Sequence, residues 1–129
     1  MAKLTMAILL VLVVIYVVPF VVYGGASVIG GLQPPSAASP GRFLLGVLIT
    51  KLGTAIAFVS IFAATKAFWG PRWLLYAGVW FVMFVLSELG EVVWGRTTVV
   101  EAALGVVSEA IYAPLSAFIT QWLLGRGSV

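Results

Sequence analysis

Four long stretches of mainly apolar residues constrain what this chain can fold into. They cover approximately residues 4–23, 43–65, 73–94 and 98–124. A helix of about 20 apolar residues crosses the ~30 Å hydrocarbon core of a bilayer. Only 9% of the 129 residues are charged, too few to coat a water-soluble domain of this size. The sequence therefore predicts an all-α integral membrane protein, a four-helix transmembrane bundle forming a single domain over residues 1–129.

The residue types that are missing exclude several kinds of chemistry. The chain has no cysteine and no histidine, and all four of its acidic residues are glutamates. Disulfides, zinc sites built from cysteine and histidine, and a catalytic histidine are therefore excluded. The basic residues are scattered singly along the chain, which argues against a nucleic-acid partner. No cofactor is predicted.

The segments between the spans carry turn-forming residues. Residues 24–41 are uncharged and rich in Gly, Pro and Ser, and are predicted to form a loop. The links at Gly70-Pro71 and at 95–97 are short, so the last three spans should be antiparallel neighbours, with Thr97 or Thr98 capping the fourth helix. The first span could be a signal peptide, but it is longer than the usual apolar core of 7–15 residues, so we expect it to be retained.

The basic residues outside the spans predict the orientation. With four spans, four bases share the side of the two termini and two lie on the other side: Lys3, Lys66, Arg72 and Arg126 against Arg42 and Arg96. Loops rich in Lys and Arg stay in the cytoplasm. We therefore expect both termini to be cytoplasmic, residues 24–41 to face outward, and the membrane to be a bacterial or archaeal plasma membrane.

Three charged residues lie well away from the ends of the spans, where charges are costly and commonly functional. At 1.5 Å per residue, Lys51, Glu88 and Glu109 lie about 12, 9 and 16 Å below the outer ends of their helices. Because the spans alternate in direction, these three charges should meet in one slab of the outer half of the bilayer. The sequence predicts that this intramembrane charge cluster is either a proton or cation site or a structural salt-bridge cluster.

A second set of residues lies close to the predicted cluster. Glu91, Arg96 and Glu101 lie near the outer interface, and Tyr112 shares a helical face with Glu109. The outer half then holds four carboxylates and three bases. One carboxylate lacks a counter-charge, so it would be protonated, bind a cation or meet a base on a partner.

Small residues follow one face of each of two spans, a pattern that favours close helix packing. In the fourth span this face contains Glu109. In the second span it contains Gly46, Gly53 and Ser60, whereas Lys51 lies on another face with Phe58. The second span therefore has two candidate contact faces, which suggests a homo-oligomer or a larger membrane complex embedded in the lipid bilayer.

Three functions are compatible with these patterns. The leading interpretation is a small non-enzymatic subunit or oligomer within a membrane complex. The first alternative is a proton- or cation-coupled carrier of small solutes that uses Glu109 and Glu88, with Lys51 as counter-charge. The second is an intramembrane enzyme on a lipid-like substrate, with a glutamate acid or base, or with Ser87 or Ser108 activated by Lys51. No metal site is predicted.

Overall fold

The computed structural model describes residues 1–30 and 40–125. In this part of the chain, five α-helices are followed by a π-helical turn: α1 Ala2–Gly30, α2 Pro40–Ala64, α3 Lys66–Trp69, α4 Trp73–Trp94, α5 Val99–Thr120 and the turn Gln121–Gly125. Four helices, α1, α2, α4 and α5 with its π turn, are long and apolar enough to cross a membrane. The predicted all-α bundle is confirmed at this level.

The first predicted loop is shorter than expected. Residues 24–30 continue α1 and residues 40–41 begin α2, so the prediction of a loop at these positions is wrong; the rest of it, 31–39, lies outside the described residues. Two causes explain the correction. A glycine costs a helix only about 1 kcal/mol, and the packing of α1 against α5, with the Tyr23 hydroxyl on the Glu101 carbonyl, offsets this cost at Gly24 or Gly25. Proline is also favoured in the first turn of a helix, where Pro40 stands.

The link between α4 and α5 has well-defined ends. Gly95 adopts a left-handed conformation with φ 81°, and its N–H donates to the carbonyls of Glu91 and Val92. Thr98 caps α5, since its hydroxyl oxygen accepts from the N–H of Glu101 at 3.1 Å. The predicted capping role of Thr98 is confirmed. We call this end of the bundle the Arg96 side and the opposite end, with the α3–α4 link, the Gly70 side.

The helices pack around α5 with their polar residues inside. α5 packs against α1 and α4, and α1 also packs against α2. The buried face of α5 is built from small and polar residues, including Ala102, Gly105, Ser108, Glu109, Tyr112, Ser116 and Thr120. The outer surface instead exposes large apolar side chains such as Leu9, Val13, Phe20 and Leu86. An outer surface of large apolar side chains suits a hydrocarbon environment, and the small residues of α5 allow close helix packing.

Aromatic contacts close the bundle between α2 and α4. The ring of Tyr76 lies 4.9 Å from that of Phe58 and 5.2 Å from that of Phe62. The Tyr76 hydroxyl donates to the backbone carbonyl of Phe58. Trp80 and Phe84 extend these contacts along α4. We call Phe58, Phe62, Tyr76, Trp80 and Phe84 the aromatic layer; it lies on the Gly70 side of Lys51 and Glu88.

Removing the Tyr76 hydroxyl should weaken the contact between α2 and α4. Tyr76→Phe is expected to lower the free energy of unfolding by about 0.5–1.5 kcal/mol, because one interhelical hydrogen bond is lost while the ring packing remains. Thermal unfolding in detergent checks this. Tyr16→Phe is the matched control, since the Tyr16 hydroxyl makes only an exposed contact of 3.5 Å with the Leu44 carbonyl. Equal melting temperatures for Tyr76→Phe and wild type would contradict the expectation.

Candidate functional site

Glu109 lies at the centre of the buried face of α5. Gly105 and Tyr112 share this face because residues three and four apart lie on one side of a helix. Glu109 is only 6% exposed, and its Oε1 has no hydrogen-bond partner among the described residues. A carboxyl oxygen buried in this way costs free energy unless a proton, a cation or a polar ligand satisfies it.

Glu88 extends from α4 and lies directly against α5 at Gly105. A Cβ atom added to Gly105 would lie only 2.7 Å from the Cδ of Glu88 and still closer to its Oε1. The missing side chain at Gly105 is therefore what leaves room for this carboxyl group. The carboxyl groups of Glu88 and Glu109 are within hydrogen-bonding reach of each other. We call Glu88 and Glu109 the carboxyl pair.

Lys51 approaches the carboxyl pair from α2 without forming a direct ion pair. Its Nζ donates to the hydroxyl oxygen of Tyr112 at 3.4 Å and lies 5.0 Å from the centroid of that ring. Lys51 is close enough to interact electrostatically with Glu109 and Glu88. No oxygen of Glu88 or Glu109, both of which the structure describes, lies within the 4.0 Å of an ion pair from the Lys51 Nζ.

Tyr23 of α1 is a member of the site that the sequence analysis missed. Its hydroxyl donates to the backbone carbonyl of Glu101 at 2.8 Å. It also lies close enough to Glu88, Glu109 and the Glu101 side chain to interact electrostatically with them. The first span carries no charge, and an argument based on charged residues passes over it. The available signal was a tyrosine at the Arg96 end of an otherwise apolar segment.

The four residues predicted to lie near the charge cluster fall into two groups, one at the carboxyl pair and one at the Arg96 side of the bundle. Tyr112 belongs to the site through its contact with Lys51. Arg96 and Glu91 approach to 3.9 Å as a largely exposed pair at the Arg96 side. The Glu101 Oε2 accepts from the hydroxyl of Thr97 at 2.9 Å, which holds this carboxylate in the first turn of α5.

The structure does not bring Ser87 or Ser108 to Lys51, the serine–lysine grouping considered from the sequence. Ser108 donates to the carbonyl of Leu104 at 2.9 Å, and Ser87 is exposed. Neither serine hydrogen-bonds to Lys51 in the described residues. Over the same residues, no three Asp, Glu, Cys or His side chains come together in a group able to hold a metal ion.

The two faces of α2 have different environments. The face shared by Lys51 is inside the bundle, where Ala55 and Phe58 are buried. The face of small residues is exposed, and a Cβ atom added at Gly46 or Gly53 would meet no other atom within 4 Å. Lys51 therefore points toward the carboxyl helices, and the small-residue face of α2 has no neighbour in the described part of this chain.

No protein-family model matches the sequence, no curated protein matches it, and no solved structure matches its fold. The fold class is that of an apolar helical bundle and carries no specific activity with it. The chemistry of Glu88, Glu109, Lys51, Tyr112 and Tyr23 is therefore the basis on which a function is argued.

Proposed function

We propose that this chain is a non-enzymatic membrane carrier in which the carboxyl pair exchanges a proton for a monovalent cation. The observation that supports it most directly is the Glu109 carboxyl group. It is nearly fully buried in an apolar bundle, has an unpartnered oxygen, and lies beside a second carboxyl group. Ionisable groups at such depth commonly mark the path of a proton or an ion.

The charges of the cluster define the exchange. Two carboxyl groups within hydrogen-bonding reach hold one proton between them, because two adjacent negative charges repel each other strongly in a medium of low dielectric constant. The pair then carries one negative charge, which the Lys51 ammonium balances. A monovalent cation that replaces the shared proton leaves this balance unchanged, whereas a divalent cation does not. Carboxylate and phenol oxygens also suit hard cations.

The geometry favours exchange over a purely structural salt bridge. A structural pair would place the Lys51 ammonium directly on a carboxylate, with short charge-assisted hydrogen bonds. Lys51 instead donates to the Tyr112 hydroxyl at 3.4 Å, and a Glu109 oxygen stays without a partner among the described residues. The Lys51 charge therefore acts on the carboxyl pair from a distance and leaves oxygen atoms free to bind an ion.

We also propose a membrane location, an orientation and an oligomeric state for this carrier. Four helices long and apolar enough to span a membrane support a transmembrane bundle. The excess of Lys and Arg on the side of the termini supports cytoplasmic termini in a bacterial or archaeal plasma membrane. We propose that the chain works as an oligomer, for which the exposed small-residue face of α2 gives support. A purely structural subunit of a larger complex, and an intramembrane enzyme, stay predictions without a specific contact in their favour.

Flux measurements in proteoliposomes test the proposed exchange. Vesicles loaded with Na⁺ or K⁺ and an internal pH dye, diluted into medium free of that cation, should acidify inside when the wild-type chain is present. Glu109→Gln and Glu88→Gln should each lose at least about tenfold in rate, since each removes an exchangeable oxygen. Glu91→Gln is the matched control, because Glu91 lies at the interface, and it should transport like wild type. Wild-type flux no faster than in empty vesicles, or full flux in Glu109→Gln, would contradict the proposal.

A further inference from the structure

The two ends of the bundle differ in charge. All four glutamates of the chain lie between residues 88 and 109, in the halves of α4 and α5 nearest the Arg96 side. Among the described residues, the Gly70 side carries three exposed bases, Lys3, Lys66 and Arg72, and no carboxylate side chain. Positive charges without nearby acids, at one end of an apolar bundle, attract an anionic surface.

The α3–α4 link is a compact turn that carries two of these bases. The Gly70 N–H donates to the Lys66 carbonyl at 2.7 Å, and the Arg72 N–H donates to the Trp69 carbonyl at 2.9 Å. Gly70 is buried, and a Cβ atom added there would lie 2.7 Å from the Lys66 carbonyl oxygen and 3.3 Å from the Gln121 Oε1. The Trp69 ring packs against the aromatic layer. Lys66 and Arg72 therefore stand at the two ends of one well-packed turn.

Phe68 holds the Arg72 side chain in place. The Arg72 Nη1 donates to the Phe68 backbone carbonyl at 2.9 Å, and the guanidinium carbon lies 4.5 Å from the centroid of the Phe68 ring. In the described residues, these contacts use one of the five N–H donors that a guanidinium carries. The remaining donors of this planar group match the oxygens of a phosphate, which arginine binds through paired N–H groups.

We infer that the α3–α4 link is a binding site for an anionic membrane lipid, with Arg72 and Lys66 on the phosphate of its headgroup. This inference does not depend on the proposed exchange at the carboxyl pair. Phe68 and Leu74 are exposed next to these bases along the chain, and Trp122 is exposed on the π turn that packs against α3. Aromatic and apolar side chains at this level contact the glycerol and acyl chains of a lipid. A free phosphate ion would gain nothing from them, which favours a lipid as the occupant.

The Arg96 side offers a base in a comparable position that is paired with an acid. The Arg96 guanidinium also lies near an aromatic ring, 5.3 Å from the centroid of Trp94, but it approaches the Glu91 carboxylate to 3.9 Å. Its charge is therefore balanced within the chain, whereas the charge of Arg72 is not. Arg96→Gln and Arg72→Gln change the net charge of the chain equally, so the first is a matched control for the second.

Native mass spectrometry of the full chain in detergent tests the site. The chain is titrated with phosphatidylglycerol or with phosphatidylcholine of the same acyl chains; both carry a phosphate, but only the first has a net negative charge. Wild type should bind phosphatidylglycerol at least about tenfold more tightly. Arg72→Gln and Lys66→Gln should each weaken this binding about fivefold, since each removes one base from an anionic headgroup. Arg96→Gln should bind phosphatidylglycerol like wild type.

Three results would overturn the inference. Equal affinities of wild type for the two lipids would show that the bases do not select an anionic headgroup. Equal losses in Arg72→Gln and Arg96→Gln would show that net charge alone attracts the lipid. Displacement of phosphatidylglycerol by an equal concentration of inorganic phosphate would assign the bases to free phosphate.

A second variant keeps the test decisive if Arg72→Gln fails to fold. The Lys66 side chain is exposed, so Lys66→Gln should leave the packing of the link unchanged. Wild-type affinity of Lys66→Gln for phosphatidylglycerol would contradict the site. The flux assay tests the proposed exchange separately, so either proposal can fail while the other stands.

Discussion

Replacing both Glu88 and Glu109 with glutamine is expected to lower the free energy of unfolding by about 3–5 kcal/mol, because the double change leaves the Lys51 ammonium in the bundle without a counter-charge. Each single replacement should cost clearly less than half of this amount. Lys51 interacts with both carboxyl groups at a distance and makes a direct ion pair with neither, so that one remaining carboxylate still balances it. Thermal and denaturant unfolding in detergent measure the difference.

A third replacement shows whether charge balance is the cause. Adding Lys51→Met to the Glu88→Gln, Glu109→Gln chain removes the unpaired ammonium and should recover most of the lost stability. The matched control is Glu91→Gln, because Glu91 forms a largely exposed pair with Arg96 and such pairs contribute under about 1 kcal/mol. A single Glu109→Gln that costs as much as the double change would instead indicate that Glu109 alone is the structural partner of Lys51.

Gly105→Ala is expected to lower the rate of cation-dependent proton flux at least about tenfold while the chain stays folded. The new methyl group would occupy the space of the Glu88 carboxyl group. That carboxyl group is the far end of a flexible side chain, so it should turn away from α5 and separate from Glu109. Misplacing a reacting group by about 1 Å costs up to about a hundredfold in rate. The flux assay in proteoliposomes measures the loss.

Stability and a matched glycine identify the cause of that loss. The added methyl group meets only the carboxyl end of the flexible Glu88 side chain, which can move aside, so the melting temperature of Gly105→Ala should stay close to that of wild type. Gly90→Ala on α4 is the control, since a Cβ there would meet nothing within 4 Å, and it should transport normally. Wild-type flux in Gly105→Ala would contradict the role assigned to the carboxyl pair.

The sequence predicts the ends of a long helix well where turn-forming residues stop it and poorly where they do not. The third span was predicted at 73–94, and α4 has these same bounds because turn residues at Gly70-Pro71 and Gly95 delimit it. The end of the first span was misplaced, since Gly24 and Gly25 were interpreted as the start of a loop although α1 continues to Gly30. The helical cost of a glycine is only about 1 kcal/mol, and the packing of α1 against α5, which the sequence does not show, offsets it.

The site shows a similar division between residues that a pattern identifies and residues that it misses. Charges within apolar spans are rare, so the sequence predicts one cluster of Lys51, Glu88 and Glu109. The sequence does not predict which atoms these side chains contact: Lys51 donates to the Tyr112 hydroxyl, and the Glu88 carboxyl group lies against Gly105. Tyr23 was missed because the sequence argument used charged residues, and the position of a tyrosine in an apolar segment gains meaning only when α1 is placed beside α5.

The sequence by itself determined that the chain contains four long apolar helices, and it predicts a similar depth for the charges within them, because hydropathy and the rise of a helix are properties of the segment alone. The tertiary structure decided which side chains meet within that slab. Rotation of each helix about its axis depends on packing between helices, and a turn of 100° per residue moves a side chain from the lipid to the interior. Packing thus placed the Lys51 face of α2 inside, its glycine face outside, and the Glu88 carboxyl group in the gap at Gly105.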